Sequence, residues 1–411
     1  MGVRQWLTTL SLRQVHVLVV EVPGWWSTRV AAQQQLSARG WPEASSPADA
    51  DVLLVCGHPG ARFDAAVEQV WDQLPGPRAR ERAETPSDVA DALDRAAAVL
   101  ADTDRQRRDA QDRDRPDDES DQHSTDADAH EDSDGDSGAN SHEMSDMDHG
   151  DMGDMGDMGD MDMSGMDHGD MDMAPGGIPL AGGGDDRDGL EMDVLQVPLG
   201  PVLPCWPAGL VLRCSLQGDV VVAAEVEVLT AGSTAPAPDL SPRAEAARLC
   251  DQARQVLELS GWGTAAQQAA RVRDDLLTGA DAAACRARLG RLRATVERSR
   301  LLRWSLRDLG RASTTHGAAV GLPVPVGDVH DRLLSFLRSA GDLLDERLDE
   351  KADHHPADQL KVSARWTGTD PVELPDLVTG LDLAAVRLVV ASVAPDTATA
   401  DTSATAEVDG G

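Results

Sequence analysis

The sequence predicts an α/β N-terminal domain over residues 1–101 and an α+β, mainly helical domain over residues 176–395. Short β-branched runs alternate with helical patterns in the first half, whereas a strand hairpin followed by amphipathic helices fills the second. Residues 102–175 lie between them and are acidic, Met/His-rich and almost free of aliphatic or aromatic side chains. Such a segment cannot offset its ordering entropy, so we expect a disordered linker there, and a disordered tail over 396–411.

The N-terminal half alternates strands and helices. Residues 15–22 and 50–55 are compact apolar runs closed by Pro and Gly, which predicts two buried strands, and residues 28–39 between them have a helical pattern. Strand, helix and strand with short loops indicate a right-handed βαβ unit with a parallel sheet, here expected to be a flavodoxin-like half. Further helices are predicted over 63–74 and 85–100, the second capped by Thr85 before Pro86.

The C-terminal half begins with antiparallel strands. Residues 210–216 and 220–229 are apolar runs joined by Gln217-Gly218-Asp219, which is a hairpin signal. Helices are predicted over 241–260, 282–309 and 328–348 from caps and apolar spacing. The Arg-rich helix over 282–309 is expected to bury Leu289, Leu292, Val296, Leu301 and Leu302.

Charge and cysteine content exclude several classes of protein. The net charge is −35, and 26 Asp/Glu against five Arg in residues 102–173 account for −21 of it. Because phosphates would be repelled, we expect no nucleic-acid partner. The five Cys contain no CxxC pair, which argues against a disulfide framework and a Cys-ligated metal centre. No apolar run is long enough to cross a bilayer and no signal peptide is visible, so a cytoplasmic protein is expected.

Three patches of the first half carry a resemblance: VHVLVVEVPGWW, SSPADADVLLVCG and AAVEQVWDQLPGPR. In this order they resemble the small iron–sulfur subunit shared by respiratory complex I and nickel–iron hydrogenases. That family places cluster-ligating Cys after the first strand, but residues 24–29 contain none. Cys56 is the one thiol of this half and cannot hold a four-ligand cluster, so we expect a small buried side chain there.

The second half is similar to the large subunit of the same enzymes. The resemblance rests on residues 198–201 (PLGP) before the hairpin, on a helix with the pair Glu297-Arg298, and on the helix sequence GDVHDRLLSFL. The departures concern the catalytic centres: the CxxC pairs that hold nickel and iron are missing, and the chain has no Tyr for a quinone contact. Where the family has His-Arg-Gly, residues 229–232 are Leu-Thr-Ala-Gly.

Together the two resemblances imply a fused, degenerate relative of both subunits. No catalytic residue and no cofactor are expected in its folded domains. It would act as an interaction or assembly module of a membrane-associated respiratory NADH dehydrogenase- or hydrogenase-type complex, bound to the other subunits and peripheral to the membrane through them. Its two halves would pack on each other. The alternative from this resemblance is an oxidoreductase subunit, of the NADH:quinone or hydrogenase type, that uses cofactors held by partner chains.

The tract over residues 141–173 allows another function. It holds ten of the twelve Met together with three His, and Met-Asp-His-Gly occurs twice, as in the Met/His repeats of copper-resistance proteins. Thioethers select Cu(I), so the tract has three interpretations: an expanded low-complexity linker, a segment that weakly buffers copper, or a defined metal site. The candidate metal ligands are His149, Met152, Met155, Met158, Met161, Met166 and His168.

Overall fold

A computed structural model describes two lobes of the chain. The N-lobe comprises residues 15–113, and the C-lobe comprises the described residues from 182 onward. The described ranges are 15–113, 182–185, 191–239, 241–312, 327–345, 373–395 and 397–399.

The N-lobe is built on a three-stranded parallel sheet with β2 in the centre. All five residues of β2 are buried, because helices cover both faces of a parallel sheet. The predicted α/β class and its first two strands are confirmed. A flavodoxin-like sheet would place the first strand between the second and third, so the observed order does not support that detail. The elements are β1 (Val17–Glu21), α1 (Trp26–Arg39), β2 (Val52–Cys56), α2 (Ala61–Asp72), β3 (Ala79–Ala83), α3 (Val89–Ala101) and α4 (Thr103–Arg113).

Two elements of the N-lobe differ from expectation. β3 has the polar sequence ARERA and buries only its two terminal Ala, so the strand carries no apolar run to reveal it. α4 lies within the range expected to be linker. It is held there because Arg78 pairs with Asp109 at 3.1 Å and Gln106 accepts the Arg78 backbone N–H at 2.9 Å. Residues 114–181 lie outside the described residues.

The C-lobe combines an antiparallel sheet with helices. Its strand order is β4-β5-β6-β7, and the predicted hairpin is confirmed, with Gly218 in the left-handed conformation (φ 62°) at the turn between β6 and β7. The elements are β4 (Gly182–Asp185), β5 (Glu191–Leu199), β6 (Leu210–Gln217), β7 (Val220–Val228), α5 (Pro242–Leu259), α6 (Gly263–Leu277), α7 (Ala282–Arg298), α8 (Arg300–Leu306), α9 (Val329–Asp345), α10 (Glu373–Val378) and α11 (Leu383–Val393).

The prediction of one continuous helix over 282–309 is wrong. The helix breaks at Ser299, whose extended backbone ends α7 and whose hydroxyl accepts the Leu302 N–H to cap α8. The break changes the phase of the apolar stripe. Leu289, Leu292, Val296 and Leu302 are buried as expected, but Leu301 is 74% exposed.

The two lobes share a hydrophobic core and main-chain hydrogen bonds. Val211 and Leu229 of the C-lobe pack into the cluster that contains Leu18, Val20 and Phe63 of the N-lobe. The Gly60 N–H donates to the Thr230 carbonyl at 3.2 Å, and the Gly232 N–H donates to the His58 carbonyl at 2.8 Å. The predicted packing of the halves on each other therefore agrees with the observed contacts.

None of the helices that the structure describes combines the length and the apolar character needed to cross a membrane.

Candidate functional site at the lobe junction

The most highly connected side chain of the described residues is Asp251, which lies where α5 of the C-lobe meets α1 of the N-lobe. It is 1% exposed, and its carboxylate bridges the lobes. Arg29 donates to it from the N-lobe at 2.5 Å and Arg273 from the C-lobe at 2.6 Å. The other donors are the Trp26 indole N–H at 3.1 Å, Arg254 Nε at 3.1 Å and the Gln255 amide at 3.3 Å.

The charges of this cluster hold Asp251 ionised. Burial alone would raise the pKa of its carboxyl group, but Arg29, Arg254 and Arg273 outweigh burial and keep that pKa well below its usual range. Burial likewise disfavours the charged form of Arg29, but Asp251 and Glu21 raise its pKa above the ordinary value. The cluster is therefore a network of fixed charges at neutral pH.

A second layer of polar groups surrounds these ion pairs. Glu21 accepts from Arg29 Nε at 2.6 Å. The Gln33 carbonyl oxygen accepts from Arg29 at 2.9 Å and from Arg273 at 2.7 Å, so one amide of the N-lobe contacts arginines of both lobes. Gln34 donates to Asp274 at 3.1 Å and adds another bond across the junction.

A cleft opens beside this cluster, between β1 and α1 on one side and the 201–208 loop on the other. It encloses about 490 Å³ when space open to solvent is counted, but only about 40 Å³ of it admits a water-sized molecule. That volume holds about three water molecules, far less than a cofactor pocket requires. Its polar lining consists of Glu21, Arg29, Gln33, Glu43, Cys205, Arg254 and Gln255.

The five thiols do not form a common site. Cys56 is fully buried at the end of β2, as expected, and Cys205 lies in the loop that lines the cleft. The other three occupy β6, α5 and α7. Burial raises the pKa of each thiol, that of Cys214 to about 11 and that of Cys250 to about 12, so these cysteines are protonated at neutral pH. The described residues bring no three thiols together.

One further group of potential metal ligands lies at the start of α9. Atoms of Asp328, His330 and Asp331 lie within 4.8 Å of one another. The carboxylates already cap the helix, since Asp328 accepts the Asp331 N–H at 3.0 Å and Asp331 accepts the Asp328 N–H at 3.3 Å. Arg311 also pairs with Asp328 at 3.4 Å, and its positive charge would repel a metal ion at this place. This arrangement is explained as a helix cap.

Two of the residues that carry the large-subunit resemblance, Glu297 and Arg332, have structural partners. Arg332, in GDVHDRLLSFL, is fully buried and donates to the carbonyls of Gly310 at 2.9 Å and Gly327 at 2.7 Å, and burial lowers its pKa to about 10. Glu297 faces Arg293 at 3.7 Å, and its neighbour Arg298 is exposed. The candidate metal ligands His149, Met152, Met155, Met158, Met161, Met166 and His168 lie outside the described residues.

The sequence analysis missed Asp251 and its partners. A signal existed, because Asp251 follows buried Ala247 by one helical turn and Arg273 follows buried Ala269 in the same way. A charged residue on an otherwise apolar helix face predicts a buried ion pair. The sequence does not indicate which of the many Arg would be its partners.

No protein-family model matches this chain, and a search of curated proteins finds no significant match.

Proposed function

We propose that this protein is a non-catalytic interaction or assembly module of a respiratory NADH dehydrogenase- or hydrogenase-type complex. One observation carries the proposal: the polar groups at the lobe junction bind one another. Asp251 accepts from five side chains, and Glu21 is occupied by Arg29. A catalytic centre needs polar groups that are free to meet a substrate or cofactor, whereas these groups join two lobes.

The cysteines also support a non-catalytic function. The resembled enzymes need converging thiolates, but the thiols of this chain occupy separate elements and have raised pKa values. A protonated thiol that is buried, as four of the five are, is neither a nucleophile nor a metal ligand. On this proposal the lobes keep the shape of the subunits that they resemble, and the partner complex supplies any redox chemistry.

The experiment that tests this function is purification of the tagged full-length protein from native membranes solubilised in mild detergent. We expect subunits of an NADH dehydrogenase- or hydrogenase-type complex in fixed stoichiometry, and loss of assembled complex in a deletion strain. The purified protein alone should show no NADH–quinone or hydrogen turnover and no stoichiometric iron, nickel or flavin. Turnover by the isolated chain would overturn the proposal. A complex that assembles fully without it but loses its activity would favour the alternative of an oxidoreductase subunit.

The Met/His tract supports a second candidate function, the buffering of copper. Met152, Met155, Met158 and Met161 recur every third residue among Asp, a pattern that offers several thioethers to one soft ion. A peptide of residues 141–173 should bind Cu(I) more tightly than Zn²⁺, and changing its ten Met to Leu should abolish only the Cu(I) binding. Equal Cu(I) affinity of the Leu peptide would refute a thioether site.

A further inference from the structure

A basic, partly apolar surface surrounds the break between α7 and α8. Leu301 and Trp304 are 74% and 77% exposed, the two most exposed large apolar side chains of the described residues. Arg298, Arg300 and Arg303 lie beside them in the sequence and are exposed as well. We call these five residues the Arg/Trp face.

Among the described residues, no carboxylate lies within ion-pair distance of the arginines of the Arg/Trp face. Residues 282–311 contain nine Arg against two acidic residues, in a chain whose net charge is −35. The neighbouring Arg288, Arg307 and Arg311 pair with carboxylates. The three arginines of the face form no ion pair within the part of the chain that the structure describes. An exposed Trp among unpaired arginines has the composition of the centre of a protein interface.

The chain itself contains a segment of complementary chemistry. Residues 141–173 hold eleven acidic residues and ten Met, with no Lys or Arg. Asp carboxylates are the partners of guanidinium groups, and Met thioethers make favourable contacts with aromatic rings and fill irregular apolar surfaces. Because Asp and Met alternate closely in the tract, one short stretch offers both kinds of contact.

The connecting segments allow the tract to reach this face. Twenty-seven residues separate Arg113, the end of α4, from residue 141. Fully extended, they span about 90 Å, whereas a folded body of about 270 residues is about 50 Å across. A tether of this length also keeps the tract at a high effective concentration near the fold.

From this complementarity of charge and apolar character, we propose that the Arg/Trp face is the docking surface for the chain's own Asp/Met tract. The tract covers Trp304 and Leu301 and neutralises the adjacent arginines. Because ion pairs contribute to this docking, it should weaken as the ionic strength rises.

The test is photo-crosslinking of the full-length protein after incorporation of photo-methionine. Ten of the twelve Met lie in the tract, so the probe labels it almost exclusively. We expect intramolecular crosslinks from the tract to residues 298–307. Substituting Arg300→Gln and Arg303→Gln should reduce them about fivefold, as expected for the loss of two exposed ion pairs. In about 0.5 M salt, where the Debye length is about 4 Å, they should also decrease.

A matched control carries Arg105→Gln and Arg108→Gln, two exposed arginines on α4 with the same change in net charge. This control should leave the crosslinks unchanged, and circular dichroism should show that both variants are folded. Crosslinks that the Arg300/Arg303 substitutions do not alter would overturn the proposal. So would crosslinks only between molecules, which would indicate a second copy as occupant. Sedimentation with phosphatidylcholine–phosphatidylserine vesicles that requires Trp304, without tract crosslinks, would instead make the face a membrane-binding surface.

Discussion

Replacing Asp251 with Asn tests whether the buried charge network holds the lobes together. The substitution keeps the size of the side chain but removes the one negative charge that Arg29, Arg254 and Arg273 share. Arg29 keeps Glu21 and Gln33, and Arg273 keeps Gln33 and Asp274. These remaining partners moderate the effect but do not replace a carboxylate at the centre of the cluster.

The expected magnitude follows from burial. Removing one partner of a buried ion pair costs about 3–5 kcal/mol, because the remaining charge stays desolvated. For a body of this size, that loss lowers the melting temperature by about 6–20 °C. The control is Asp94→Asn, since Asp94 pairs with Arg39 at 2.6 Å but is 68% exposed. Breaking an exposed pair costs about 0–1 kcal/mol.

The assay is urea unfolding of the full-length protein at several pH values. A carboxyl group whose pKa is lower in the folded state stabilises the fold above its unfolded pKa of about 3.9, and that stabilisation is lost as pH falls toward the folded pKa. The stability difference between wild type and Asp251→Asn should therefore be largest near pH 7 and shrink below about pH 4. If Asp251→Asn and Asp94→Asn destabilise equally at pH 7, the argument from the buried network is refuted.

Three other outcomes follow from the same contacts. In urea unfolding, Gly60→Ala should lower the free energy of unfolding, because the added Cβ would lie 2.7 Å from the Thr230 carbonyl oxygen across the junction. Gly290→Ala should raise the free energy of unfolding by about 0.5–1 kcal/mol, because its Cβ would meet nothing within 4 Å on the α7 helix. Residues 1–113 and 175–411 expressed as separate chains should co-purify through the shared core, and failure at micromolar concentration would contradict the packing. Ellman's reagent should modify the partly exposed Cys205 first in the folded protein, and equal rates for all five thiols would contradict their burial.

The sequence predicted the elements whose apolar residues stand out from their neighbours. β1 and β2 are β-branched runs, and the hairpin around Gly218 has both an alternating pattern and a turn signal. β3 was missed because ARERA has no apolar run, although its two terminal Ala are buried in the core. α6 was missed for a related reason: its core positions are mainly Ala, which gives little contrast in hydrophobicity.

The site was harder to predict than the fold because its members are far apart in the sequence. Arg29 and Asp251 are separated by 222 residues, and only the packing of α1 against α5 brings them together. Trp26 illustrates the same limit. It packs against the C-lobe core, and its indole N–H donates to Asp251, which is 225 positions away in the sequence. Local patterns identify faces of helices, but pairing of charges between lobes depends on how those faces meet.

The network at Asp251 contributes to the alignment of the two lobes. Apolar contacts such as those of Val211 and Leu229 favour association but tolerate small displacements, whereas hydrogen bonds weaken steeply beyond about 3.5 Å. Asp251 of the C-lobe accepts from Arg29 of the N-lobe at 2.5 Å, and Gln33 of the N-lobe accepts from Arg273 of the C-lobe at 2.7 Å, so a relative shift of about 1 Å would weaken both bonds across the junction. We infer that the buried charges specify how the lobes align and the shared apolar core supplies the binding energy, and a partner that contacts both lobes meets a single composite surface.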